Sequence, residues 1–135
     1  MGDVLVVFGF SWMIVAAMIG MYLGITHDSH LEKLEDIAKH GTLWQYHERL
    51  EKYKWKITVH AHSFLFSVIN VLIGTLIQKM AFSEMISAIL VFGLMASAFL
   101  WTVGGLRRSK ALMGLGDILM LAGIVVAVIG LARVL

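Results

Sequence analysis

Four stretches of this chain, residues 4–25, 57–77, 85–106 and 111–135, are almost uninterrupted apolar runs. Each is long enough to cross a bilayer core of about 30 Å, which takes roughly 20 helical residues. In hydrocarbon every backbone N–H and C=O must be satisfied within the protein, so runs of this length are expected as helices. The sequence therefore implies an all-α integral membrane protein, a four-transmembrane-helix bundle forming a single domain over residues 1–135. An apolar content of 59% leaves too few polar side chains to clothe a water-soluble globule. The first run has the length of a signal peptide, but Met1-Gly2-Asp3 lacks a basic n-region, and it is read as a retained span.

Lysine and arginine set the orientation. Lys33, Lys39, Arg49, Lys52, Lys54, Lys56, Arg107, Arg108 and Lys110 fall on one side of the expected spans, against Lys79 and Arg133 on the other. By the positive-inside tendency the first side is cytoplasmic, so both termini are expected on the non-cytoplasmic side. The net charge of +2 reflects these loop residues and does not point to nucleic acid. The cytoplasmic segment 26–56 is expected to hold short amphipathic helices. Ser29-x-x-Glu32 has the form of a capping box, Leu31, Leu34 and Ala38 follow at helical spacing, and Gly41 is a stop signal. Thr42-x-x-Gln45 restarts the pattern, with Glu48/Lys52 as an i,i+4 pair, and nothing breaks the chain before Gly74, so this helix is expected to run into the second span. Gly20-x-x-x-Gly24, and Gly116, Gly123 and Gly130 at heptad spacing, offer small faces for close helix packing.

The second span carries the chemistry. At ~100° per residue Lys56, His60, Ser63, Ser67, Asn70, Gly74 and Gln78 share an arc of about 80°, a polar stripe that should face protein rather than lipid. His60-Ala61-His62 lies about one turn inside the span. The two imidazoles sit ~160° apart around the helix, so one ion cannot be chelated by both without distortion. Asp117, in the fourth span, lies at a similar depth and is expected to pair with an imidazole N–H, the arrangement that fixes the tautomer of a metal-bound histidine. The plain alternative is that these histidines are structural hydrogen-bond donors and the acid merely neutralises one of them. With no cysteine, thiolate zinc, iron–sulfur clusters and c-type haem are excluded, leaving His, Asp, Glu, Met and Tyr as ligands.

The run His60-Ala61-His62-Ser63-Phe64-Leu65-Phe66 resembles the H-A-H-x-x-L-F stretch of multi-span haem- and copper-containing membrane proteins associated with the nitric-oxide response. It also resembles the H-A-H helix of small proteins akin to the haem–copper oxidase catalytic subunit. The likeness covers fewer than ten residues, and Ser67 stands where those families tend to place glycine. It implies that His60 or His62 is an axial or metal ligand, with haem b as the cofactor and copper as the alternative. No other span supplies a second histidine, so a five-coordinate haem, a methionine, a loop histidine or a neighbouring subunit would complete the site.

Three functions follow as expectations. The first is a cytochrome-like membrane subunit binding haem or metal through His60 and His62, with Asp117, Asn70 and Ser63 lining the cofactor site, for electron transfer or diatomic gas binding. The second is a non-catalytic anchor or assembly subunit whose partners, besides the lipid bilayer, are other membrane or cytoplasmic subunits or copies of itself. The third is a proton or metal-ion conduit along the stripe. No nucleophile elbow, phosphate loop or H-E-x-x-H motif suggests catalysis by the chain itself.

Overall fold

The computed structural model describes residues 1–134 and is all-helical among them, with helices α1 (Gly2–Ile25), α2 (His27–His40), α3 (Leu43–Leu76), α4 (Glu84–Leu106) and α5 (Lys110–Ala132), and a single 3-10 turn at Ile77–Lys79 after α3. Four of the five are long and apolar enough to cross a membrane. Leu135, the last residue of the expected fourth span, lies outside the described residues.

The starts and stops follow local chemistry. α3 opens on a complete capping box, in which the Gln45 N–H donates to Thr42 Oγ1 at 3.3 Å and the Thr42 N–H to Gln45 Oε1 at 2.9 Å. As expected, it then runs unbroken through the basic segment into the second span, 34 residues in one helix or about 50 Å. The capping box anticipated at Ser29 is not used. Thr26 alone separates α1 from α2: its N–H still bonds the end of α1, while its carbonyl accepts the His30 N–H at 3.0 Å, so α2 begins at His27 and Ser29 lies inside it.

The spans pack as two antiparallel pairs, α1 on α3 and α4 on α5, joined chiefly through α3 and α4. Glycine lets each pair approach closely. A Cβ at Gly9 would meet the Ser67 carbonyl oxygen at 2.9 Å, and one at Gly116 would meet the Ser97 carbonyl oxygen at the same distance. Gly116 and Gly123 are buried against α4 and Gly130 against Phe82 just before it, so the heptad serves packing within the chain. In Gly20-x-x-x-Gly24 only Gly20 is in a seam, and Gly24 faces open space. Val7, Ile14, Phe92, Ile118 and Leu121 are exposed on the outer faces, a surface suited to acyl chains and not to water.

The α4–α5 corner bears on function. Arg108 has φ 57° and is the one non-glycine residue in the left-handed region among those described. The Arg108 N–H donates to the Gly105 carbonyl (3.1 Å) and the Ser109 N–H to the Gly104 carbonyl (2.7 Å), the Schellman pattern whose left-handed position glycine usually fills. An arginine there costs about 1 kcal/mol.

Candidate functional site

The middle of the α3 polar stripe faces the protein as expected, with Ser63, Ser67 and Asn70 fully buried, while its ends, Lys56 and Gln78, are exposed. Where the stripe faces α1 and α4, hydrogen bonds between helices form. Ser63 Oγ and Thr102 Oγ1 are 2.8 Å apart, and Trp12 Nε1 of α1 donates to the same Thr102 oxygen at 3.2 Å, so three spans meet at one hydroxyl. Ser67 Oγ donates to the Ser63 carbonyl at 2.7 Å. Trp12 had no role in the sequence reading. Its signal was an indole N–H in mid-span, which needs an acceptor when buried.

Each histidine of the H-A-H motif is held by a backbone carbonyl, and neither is held by Asp117. His60 Nδ1 lies 2.8 Å from the Ala16 oxygen of α1, and its ring occupies the space beside Gly20, where a Cβ would come within 2.5 Å of the ring. His62 Nδ1 lies 3.0 Å from the Thr58 oxygen one turn back, and its ring stacks on Trp101 of α4 with centroids 4.4 Å apart and planes 6° from parallel. A carbonyl only accepts, so in both rings Nδ1 carries a proton, and whenever the ring is neutral the lone pair is on Nε2.

The expected pairing with Asp117 is not formed. Asp117 is exposed on the outer face of α5, without a hydrogen bond or ion pair among the described residues. The physical reason is azimuth rather than depth. α5 turns Gly116, Met120, Gly123 and Ala127 against the protein, and the residue after Gly116 is rotated ~100° away from that seam. Met18, Met21 and Tyr22 likewise point outward. No group of three or more His, Asp or Glu side chains able to hold a metal occurs among the described residues.

His60 is wedged between α1 and α3, and His62 is covered on one face by Trp101. Cavities of about 400, 370 and 280 Å³ open elsewhere on the molecule, and neither ring lines any of them. Two buried polar groups are left over inside: both side-chain atoms of Asn70, and the indole nitrogen of Trp101, have no hydrogen-bond partner.

The loop histidines have local partners. His27 Nδ1 is hydrogen-bonded to Tyr53 Oη, His30 stacks on the Tyr53 ring at 4.1 Å, and His40 meets Asp36. No protein-family model, curated protein or solved structure matches this chain.

Proposed function

We propose that this protein is a non-catalytic integral-membrane subunit that works in association with a second membrane-embedded chain, docked on the outer face of α5. The observation that carries this reading is Asp117. It stands seven residues into α5, ~10 Å along the helix, exposed and without an ion pair among the described residues. An acidic side chain at the centre of a span costs about 2.5–3.5 kcal/mol on insertion scales, and such groups almost always face protein, water or a partner charge. A donor or cation from a neighbouring helix would meet that need. The basic loops favour an orientation with both termini on the non-cytoplasmic side.

The chain has no cysteine, which makes the test direct. Single cysteines at Ile118 and at the equally exposed Val7 are compared by chemical crosslinking in native membranes. A discrete larger species is expected from Ile118→Cys, absent from Val7→Cys and lost when Asp117→Leu is added. Identical behaviour of the two cysteines would overturn the reading.

A second reading is favoured by the histidine tautomers. A histidine that donates Nδ1–H to a backbone carbonyl and keeps Nε2 as a lone pair has the form used by metal-ligating imidazoles, and His62 is only half-buried. In this reading His62 binds haem b, or copper, through Nε2, with a further ligand from outside the chain. An absorption spectrum of the complex, oxidised and reduced, is expected to show a haem band that survives His60→Ala and disappears in His62→Ala. A colourless complex without metal would remove it.

A further inference from the structure

At the loop end, α2, the first turns of α3 and the α4–α5 corner enclose a cavity of about 370 Å³. His30, Arg49, Lys56 and Arg108 line it, while Val59 and Leu106 form its apolar side. A smaller cavity of about 140 Å³ shares His30, Arg49 and Lys56 and adds Lys33. An apolar groove of about 270 Å³ starts from the same Lys56 and Leu106 and continues along Met18 and Ile19 of α1. No carboxylate among the described residues lines any of the three.

Four features of this region are unfavourable in the isolated chain. Arg49, Lys56 and Arg108 form no ion pair among the described residues, whereas nearby Lys52 and Lys54 are matched with Glu48 and Glu51. Arg49 Nε and His30 Nε2 are buried without a hydrogen-bond partner. The His30 ring is held below its ordinary value of 6.5, first by burial and then by the charges of Arg49, Lys56, His27 and Lys33. Arg108 occupies a left-handed position that glycine would fill without strain. One anion in the cavity would relieve the first three together and give the strained fourth a purpose. The donors suit it: guanidinium groups bind phosphate oxygens in a fork, and lysine adds a point charge.

We propose that this cavity binds the phosphate head group of an anionic lipid, with one acyl chain lying in the groove along α1. The shared chemistry is a phosphate anion. The groove, continuous with the cavity through Lys56 and Leu106, favours the lipid over a soluble phosphate as its source. Basic pockets between spans, at head-group level, are where such lipids are recognised. The proposal is independent of the Asp117 contact, which lies on another helix face.

The full chain, purified in detergent, is offered phosphatidylglycerol, phosphatidylcholine or inorganic phosphate, and retention is followed by native mass spectrometry. Phosphatidylglycerol is expected to be retained at least tenfold better than phosphatidylcholine and to resist displacement by inorganic phosphate. Arg49→Gln and Arg108→Gly are each expected to lower that preference severalfold, and Lys39→Gln, on the far side of α2, to leave it unchanged. Arg108→Gly guards against a mere folding defect, because relief of its backbone strain should raise the thermal midpoint while lipid is lost. Equal retention of the two lipids, or unaltered preference in both cavity variants, overturns the proposal. Binding of inorganic phosphate that excludes the lipid overturns its lipid source.

Discussion

The interior layer around His60 and the basic end around Arg49 treat polar groups in opposite ways. In the interior, His60, His62, Ser63, Ser67, Thr102 and Trp12 each have a partner inside the chain, and no charge is buried with them. At the basic end, Arg49, Lys56 and Arg108 form no ion pair among the described residues, Lys56 resting only on the Tyr22 ring, and the His30 Nε2 is orphaned. Hydrocarbon supplies no hydrogen bonds, so a span must satisfy its polar groups from neighbouring helices. At the membrane surface, water and head groups can complete what the protein leaves open. Partnered polar groups here therefore read as architecture, and unpartnered ones as places where something else binds. Asp117, Asn70 and the Trp101 indole nitrogen are the exceptions inside the spans.

The strongest test removes the centre of the interior layer. Trp101 is almost fully buried, carries the His62 ring on its face, touches Phe66 and roofs Gly116. Trp101→Ala is expected to cost about 3–5 kcal/mol of stability, measured by unfolding in mixed micelles. A loss below ~1 kcal/mol would mean that the layer does not hold the two helix pairs together.

Asn70 comes next, with the opposite sign. Its amide is fully buried and unpartnered, so Asn70→Leu, close to it in volume, is expected to stabilise the isolated chain by about 1–3 kcal/mol. Destabilisation would show that the amide finds a partner in the membrane, and would move Asn70 into the class of Asp117. A smaller effect is expected from Trp12→Phe, which removes only the N–H donated to Thr102. Interhelical hydrogen bonds in membranes average about 0.6 kcal/mol. A loss several times larger would mark that hydroxyl as the linchpin of the three spans.

The spans were legible because a long apolar run is a local signal, and so was the start of α3, where Thr42 and Gln45 cap each other across three residues. The start of α2 was missed because Thr26 is shared with the end of α1, a fact of the preceding helix and not of Ser29. The inward stripe of α3 followed from periodicity, but the partners of His60 and His62 are backbone carbonyls, which no side-chain pattern reveals. Asp117 was placed by depth alone. The Gly116, Gly123 and Gly130 seam already defined which way α5 faces the protein, and turning the helix accordingly sends its acid outward. The basic cavity joins residues 30, 49, 56 and 108, which only the folded chain brings together.

The smallest expected effect belongs to the basic end, where one half-buried ring titrates among cations. His30 faces His27 and Lys33 of its own helix, Arg49, Tyr53 and Lys56 of α3, and Arg108 across the cavity. Burial and these cations hold its folded value below 6.5, so as the pH falls past 6.5 the unfolded chain takes up a proton that the folded chain refuses. Stability is then expected to be level above that pH and to fall below it. His30→Phe, which can still stack on Tyr53, should remove this part of the decline. An anionic lipid in the cavity would favour the protonated ring, so phosphatidylglycerol should flatten the decline in the parent chain and phosphatidylcholine should not. A decline identical in parent and His30→Phe would trace the pH response to other groups and detach His30 from the cavity's electrostatics.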